Sequence, residues 1–253
     1  MALFRVLGPL RVGPDATNSQ PGRPSERALL GGLLFHANRF VSKARLAEFI
    51  WTVPPSSADA NIRTYAAFVR RSLDDAAPGL SARLETRRGA GGAYRLAVAD
   101  DEFDAAVFRA LADEGRSRLT AGDPSGAVTR LRRALSIWTG PAGEDLPDTS
   151  AVRACVADLE DRRTRAREDL AEALVALGDP AAAVADLQLL ASRNPLRERP
   201  VHLLMSALYT DGEPAEAVAA YHRHRRTLRD ETGCDPSPRL QASYVRMLRH
   251  AST

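Results

Sequence analysis

The chain has 253 residues, of which 44% are hydrophobic and 26% are charged, values that are ordinary for a globular protein. This length favours two domains over one. No apolar run approaches the roughly 18 residues that a membrane-spanning helix needs. The N-terminal sequence MALFRVLGPLRVG lacks the long apolar core of a signal peptide. We therefore expect a cytoplasmic protein that has no membrane partner.

The charge is divided unevenly along the chain, although the formal net charge is only +3. Residues 1–97 carry 14 Lys and Arg against 7 Asp and Glu, a net charge of +7. Residues 98–253 carry 21 against 25, a net charge of −4. A basic first part joined to a mildly acidic second part indicates that the first part binds a polyanion, such as a nucleic acid.

The first part predicts short strands, three helices and a hairpin, in that order. Strands at residues 3–7 and 10–12 precede a loop at 13–24, which is rich in Gly, Pro, Asn and Ser. Apolar spacing predicts helices at about 25–37, 43–51 and 56–75, with Ser42 and Ser56 as N-caps of the last two. Alternating runs at 82–88 and 93–98, joined by a glycine-rich tip, predict the hairpin. This order is typical of a winged helix-turn-helix, whose third helix enters the major groove.

The third predicted helix has two faces of different chemistry. Its apolar residues share one face: Ile62, Tyr65, Ala66, Val69 and Leu73. The opposite face and its flanks hold Asn61, Arg63, Thr64, Ala67, Phe68, Arg70 and Arg71, with no acid before Asp74. Arginine beside small and amide side chains is suited to base edges and phosphates. A solvated amphipathic helix is the alternative; the hairpin and the basic first part favour DNA.

Arg87 and Arg88 precede the glycines of the predicted hairpin. They are placed to reach a phosphate or the minor groove, or, alternatively, to form a charged edge that discourages strand pairing. The glycines do not complete a dinucleotide-binding motif, because Tyr94 takes the last glycine position and a strand follows instead of a helix. We favour contact with DNA.

The second part of the chain predicts helices only, arranged as a repeat. Each unit has Gly, an acid and Pro, followed three residues after the proline by an Ala-Val pair; the units begin at Gly122, Gly178 and Gly212. The last two units are 34 residues apart, the tetratricopeptide period. The longer first interval contains a loop at 139–150 and a helix at about 151–177. Such a stack has a concave face, which either binds a protein segment or is filled by the chain's own last helix, at about 241–250.

The predicted fold is therefore mainly α with a small β component. Residues 1–97 are predicted to form an N-terminal winged helix-turn-helix, and residues 98–253 a C-terminal tetratricopeptide-like, all-α domain. The sequence contains no P-loop, nucleophile elbow, zinc-protease or kinase motif. Cys155 and Cys234 form no CxxC pair and are predicted to be buried free thiols. We expect no catalytic residue, no metal and no cofactor, and hence a protein that is not an enzyme.

Several motifs taken together resemble the Streptomyces antibiotic regulatory proteins over nearly the whole chain. The first part resembles their OmpR-type winged helix, through FRVLGPLRV, NIRTYAAFVRRSL and TRRGAGGAYRL. The second part is similar to the bacterial transcriptional activator domain, through ALSIWTGPA, NPLRERPVHLLMSALY, EPAEAVAAYHRHRRTL and GCDPSPRL. No single motif carries this resemblance alone.

The resemblance implies a transcriptional activator of a secondary-metabolite (antibiotic) gene cluster, located in the cytoplasm and associated with the nucleoid. Such a protein would bind direct repeats near the −35 element of double-stranded promoter DNA as a homodimer. It would recruit RNA polymerase with its sigma factor. A transcriptional repressor is the alternative function, and a helical-repeat scaffold for protein interactions is a more distant one.

The resemblance also implies roles for individual residues. DNA contacts map onto Asn61, Arg63, Thr64, Arg70, Arg71, Arg87 and Arg88; our predicted interface adds Ala67, Phe68, Lys43 and Trp51. The predicted contact with polymerase is the turn of Thr52, Val53, Pro54, Pro55 and Ser56.

The sequence departs from the family pattern at three points. Phe68 stands where a polar or basic residue is common; it is expected either to pack on a thymine methyl group or to contact a second protomer. Ala93 stands where the family usually has glycine in the wing. The ATPase part of larger relatives and the receiver domain of response regulators are missing, so we expect neither ATP nor phosphoryl transfer to switch the protein directly.

Overall fold

The computed structural model describes residues 2–14, 21–89 and 91–250. Residues 15–20 of the predicted loop and Ala90 of the predicted hairpin lie outside the described residues. The chain forms two compact units that alternate along the sequence. The first unit consists of Met1–Ala110 and Ser136–Arg162, and the second of Leu111–Leu135 and Arg163–Thr253. The predicted division into a winged-helix domain at 1–97 and a helical domain at 98–253 stays a prediction. None of the described helices is both long and apolar enough to cross a membrane.

The first unit contains the predicted strands, three helices and hairpin. Its elements are β1 (Phe4–Arg5), β2 (Arg11–Val12), α1 (Pro24–Phe35), β3 (Val41–Ser42), α2 (Lys43–Ile50), α3 (Ala58–Ala76), β4 (Leu84–Arg87) and β5 (Ala93–Leu96). Strands β1 and β2 pair antiparallel, and a second sheet has the order β3-β5-β4. The sequence did not predict β3, which pairs with β5 through Val41 opposite Tyr94. Two residues are too short a run for a periodic signal.

A serine cap explains where α2 begins but not where α3 begins. The hydroxyl oxygen of Ser42 accepts a hydrogen bond from the Arg45 N–H, as expected for an N-cap. The predicted cap of α3 is wrong by one residue, because α3 begins at Ala58 with Ser57 as its N-cap. The Ser57 hydroxyl makes no capping hydrogen bond to the backbone and instead accepts one from the Asn61 side chain, at 3.2 Å.

The apolar faces of the three helices pack together. The predicted stripe of α1, Leu29, Leu30, Leu33 and Leu34, is buried. Four of the five predicted apolar residues of α3 are buried too: Ile62, Ala66, Val69 and Leu73. A Cβ atom at Gly32 would lie 2.9 Å from the Phe49 ring, so α1 and α2 approach closely where α1 has no side chain. This packing leaves the opposite face of α3 in solvent.

Segments beyond residue 97 complete the first unit. The Asp104 carboxylate accepts hydrogen bonds from the Val6 and Leu7 N–H groups, at 2.9 to 3.0 Å. In the loop at residues 139–149, Thr139 N–H donates to Leu7 C=O, and the Asp145 carboxylate accepts from Leu10 N–H at 2.7 Å. Residues 3–12 therefore obtain hydrogen-bond partners from segments that follow the winged helix in the sequence.

The remaining helices form the predicted repeat. They are α4 (Asp104–Thr120), α5 (Pro124–Leu135), α6 (Ser150–Ala176), α7 (Ala181–Arg193), α8 (Glu198–Thr210), α9 (Pro214–Thr232) and α10 (Pro238–His250). At each turn a glycine has a φ between 78° and 87°. The next residue donates its N–H to the carbonyl five positions back: Asp123 to Arg118, Asp179 to Leu174 and Glu213 to Leu208. This is the C-terminal cap that requires glycine in the left-handed region.

The last helix, α10, packs against α8 and α9. The Tyr244 and Tyr221 rings stack at 4.1 Å, and the Ser243 hydroxyl lies 3.1 Å from His202 Nε2. Helices α6 and α7 form one pair along the chain, and α8 and α9 form the next. Helix α10 then takes the place of the first helix of a further pair. Together with α6 and α8, α10 lines a cavity. The concave face and its occupant stay predictions.

Candidate nucleic-acid interface

The exposed face of α3 carries five of the residues predicted to contact DNA. These exposed residues are Arg63, Thr64, Ala67, Phe68 and Arg71. No carboxylate occurs in α3 between Ala60 and Ser72. Burial of the apolar face thus presents a continuous surface of small, aromatic and cationic side chains, whose contact with DNA stays a prediction.

Phe68 lies against a cation of its own helix. The Arg71 guanidinium carbon is 5.5 Å from the centroid of the Phe68 ring, which is 38% exposed. Cation–π contact at an exposed site contributes about 0.5–1 kcal/mol. This contact restricts the conformations of Arg71, so Phe68 has a role within the helix besides the two that the sequence suggested.

Arg70 and Lys43 are held by groups of the protein itself. The half-buried Arg70 donates from Nη2 to Leu84 C=O at 2.9 Å and to the Thr86 hydroxyl at 2.7 Å. Lys43 forms an ion pair with Asp59. Its backbone N–H donates to Gly92 C=O at 3.2 Å. Both residues tie the hairpin to α3 and thereby set the position of one relative to the other.

The hairpin of β4 and β5, which we call the wing, carries a cluster of two arginines on one aromatic ring. The guanidinium carbons of Arg87 and Arg95 lie 4.6 Å and 5.1 Å from the centroid of the Phe40 ring. Arg88 is exposed. The sequence did not point to Phe40, which is exposed to 36%, because the two-residue strand β3 that places it beside the wing has no periodic signal.

The turn between α2 and α3 is the predicted contact with a protein partner. Thr52, Val53, Pro54, Pro55 and Ser56 are all exposed, and Val53 is exposed to 81%. Trp51, which precedes the turn, is half-buried with its ring 6.0 Å from that of Tyr65. The turn therefore exposes the apolar side chain of Val53, and the residue at its start, Trp51, is held by packing on Tyr65.

Within α3, carboxylates lie only at the two ends of the helix; on the wing, Glu85 is paired with Arg95 at 2.6 Å. Hydrogen bonds from the Ser81 side chain and N–H hold the pKa of the Asp74 carboxyl below its usual range, so Asp74 is anionic at neutral pH. Asp59, at the other end of α3, is paired with Lys43. The positive charge is thus concentrated on the middle of α3 and on the wing.

The described residues contain no group of three or more His, Cys, Asp or Glu that could hold a metal ion. Cys155 is half-buried, whereas Cys234 is exposed. The prediction that both thiols are buried is therefore wrong for Cys234, which lies in the segment between α9 and α10.

Two family models match the chain. Residues 19–96 match "Transcriptional regulatory protein, C terminal", and residues 103–248 match "Bacterial transcriptional activator domain". The first match contains α1 to β5, and the second contains most of α4 to α10.

Similar proteins come from actinobacteria. The chain is 39% identical to the regulatory protein AfsR of Streptomyces coelicolor, over 97% of this chain and 24% of AfsR. It is 33% identical to the transcriptional regulator RedD of the same organism, over 97% of this chain and 70% of RedD. The solved structure of Mycobacterium tuberculosis EmbR in complex with a low-affinity phosphopeptide superposes with a TM-score of 0.89 at 34% identity, covering 98% of this chain and 65% of EmbR.

Proposed function

Because the chain belongs to the Streptomyces antibiotic regulatory protein family, in which an OmpR-type winged helix precedes a bacterial transcriptional activator domain, we propose that it is a sequence-specific, DNA-binding transcriptional activator. The family consists of transcriptional regulators and not of enzymes. The observation that carries the proposal is the exposed, carboxylate-free face of α3 beside a wing tethered to the same helix. DNA binding is assigned to residues 1–97 and activation to residues 98–253.

The proposed target is a promoter of a secondary-metabolite gene cluster. There a homodimer binds direct repeats near the −35 element and recruits RNA polymerase through its sigma factor, in the cytoplasm and at the nucleoid. Support comes from the similarity to the regulators AfsR and RedD. The chain spans only 24% of AfsR, so the activity of that whole protein is not transferred.

The geometry supports two roles for the predicted residues: some contact DNA, and others position the wing relative to α3. Arg63 and Arg71 read bases or phosphates from α3, and Arg87 and Arg88 contact the backbone or minor groove from the wing. Arg70 is a positioning residue, because its guanidinium is bonded to β4. Lys43 acts in the same way through Asp59 and Gly92.

Footprinting of the full chain on neighbouring promoters tests the target, and the variant Arg71→Ala tests the reading helix. If Arg71 reads a guanine, binding should weaken by about 1–3 kcal/mol and specificity should relax at one base pair. If it contacts phosphate only, all sequences should weaken alike and the salt slope should fall by about one. Arg226→Ala, which removes an exposed arginine of α9, is the charge-matched control.

The full chain is required in this experiment. A fragment that ends at Ala97 lacks Asp104 and Asp145, which accept hydrogen bonds from the buried N–H groups of Val6, Leu7 and Leu10. Normal promoter binding by Arg71→Ala at moderate salt would remove Arg71 from the interface. Equal footprints on promoter and random duplex would refute sequence-specific binding.

Activation and repression are separated by transcription with purified polymerase. The variant Val53→Ser removes the exposed apolar side chain from the α2–α3 turn. We expect it to bind promoter DNA normally and to lose activation, because Val53 contacts polymerase or sigma factor. Reduced transcription with the unaltered chain would indicate a repressor, and undiminished activation by Val53→Ser would exclude this turn as the contact.

A further inference from the structure

The second unit contains a cavity of about 400 Å³ between α6, α8 and α10. Val175, Leu203 and Leu240 form an apolar wall, and His202 and Ser206 lie where the cavity meets a neighbouring one of about 340 Å³. Pockets that hold small molecules are commonly about 300–1,000 Å³, apolar, and equipped with a few polar groups. The two cavities together have this size and character.

The acids at the cavity are already bonded to the protein. The Glu172 carboxylate accepts a hydrogen bond from Arg199 Nη2 at 2.9 Å, and Arg199 also binds Glu168 and Asp169. The Glu198 carboxylate accepts from Ser237 N–H at 2.6 Å. Glu172 therefore has a cationic partner, whereas Glu198 is bonded to a neutral N–H group and keeps its negative charge.

The cations of α10 at the cavity are not compensated in this way. Arg239 lines the larger cavity and Arg246 the smaller one, and both are exposed. Within residues 2–14, 21–89 and 91–250, neither forms an ion pair with a carboxylate. Arg246 donates only to the Ser243 hydroxyl, at 3.1 Å. Seven residues apart, the two arginines lie about two turns apart on the same side of α10.

His202 lies at the junction of the two cavities, buried enough to lose part of its hydration and close enough to both arginines to be affected by their charge. Burial, together with the charges of Arg239 and Arg246, lowers the pKa of the His202 imidazole, while Glu172 opposes the shift. The ring is therefore neutral at neutral pH, and its Nε2 shares a hydrogen bond with the Ser243 hydroxyl. A neutral imidazole between two uncompensated guanidinium groups favours an anion over a cation as occupant.

We propose that this cavity binds a small organic anion. Its acidic group lies beside His202, within reach of Arg239 and Arg246, and its apolar body packs against Val175, Leu203 and Leu240. The proposal rests on the second unit alone and is independent of the function proposed for α3 and the wing.

The test is a fluorescence titration of the full chain with 8-anilinonaphthalene-1-sulfonate, an anion with an apolar body. The double variant R239Q/R246Q should weaken its binding by about tenfold, because two favourable charge interactions are removed. The double variant R132Q/R226Q is the matched control, since it removes two exposed arginines of α5 and α9 that do not line the cavity. N-Phenyl-1-naphthylamine, the same probe without its sulfonate, should bind both double variants and the unaltered chain alike.

A second measurement distinguishes the cavity from adhesion to an exposed apolar surface. Proton NMR of His202 should show its pKa rising when the sulfonate occupies the site, because the anion offsets the charge of the two arginines. An unmoved His202 titration, undiminished binding by R239Q/R246Q, or no binding of the sulfonate would each overturn the proposal. The His202 measurement uses the unaltered chain, so it decides the matter even if the double variant does not fold.

Discussion

Asp104 makes the stability of the first unit depend on pH in an unusual direction. Its carboxyl is 3% exposed, and burial raises its pKa from 3.8 to about 6, although the N–H groups of Val6, Leu7 and Ala105 oppose the shift. At a pH between 3.8 and about 6, the Asp104 carboxyl of the folded chain keeps a proton that it has released in the unfolded chain. Stability is then greatest below the lower value and is lost as the pH rises through about 6.

The magnitude follows from the two pKa values. One pKa unit corresponds to about 1.4 kcal/mol, so the complete effect of Asp104 is about 3 kcal/mol. About 2 kcal/mol of it should be lost between about pH 4.5 and about pH 7. The variant Asp104→Asn does not ionise and should lack this loss. Asp101→Asn, which removes an exposed carboxylate three residues earlier, should follow the unaltered chain.

Urea unfolding followed by tryptophan fluorescence measures this difference, because both tryptophans, Trp51 and Trp138, lie in the first unit with Asp104. The free energy of unfolding of the unaltered chain should fall relative to that of Asp104→Asn as the pH rises. Parallel curves for the two proteins would refute the reasoning. They would mean that the three backbone hydrogen bonds offset the cost of burying the charge.

Two further predictions concern stability. Glu168→Gln should lower the free energy of unfolding by about 3 kcal/mol, because Glu168 is fully buried and Arg197 and Arg199 would each lose one charged partner. Glu172→Gln, at a half-exposed partner of the same network, should cost under about 1 kcal/mol in circular-dichroism melts. Gly92→Ala should destabilise the chain by more than Gly91→Ala, since both positions have positive φ but only at Gly92 would a Cβ lie 2.9 Å from the Lys43 side chain. That side chain would have to move and would weaken its ion pair with Asp59. Equal melting temperatures within either pair would contradict the respective argument.

The sequence by itself determined the helices, the N-cap of α2, the glycine caps of the repeat and the two faces of α3. These features depend on residues a few positions apart: the three- and four-residue spacing of Ile62, Ala66, Val69 and Leu73, the serine before α2, and the glycine and acid at each repeat turn. Such spacing decides which face of a helix is apolar before any partner is known. The motifs of the winged helix and of the activator domain could be recognised for the same reason.

Only the tertiary structure decided which residues far apart in the sequence form hydrogen bonds, ion pairs and ring contacts with one another. Arg70 and Lys43 resemble other cations of the interface in sequence, yet their bonds to β4 and Asp59 make them tethers of the wing. Phe40 acquires a role only because β3 brings it beneath Arg87. Asp104 lies 98 residues from Val6, yet its carboxylate accepts a hydrogen bond from the Val6 N–H. Contacts at such separations arise when packed elements close long loops, and no local period in the sequence records which partners will meet.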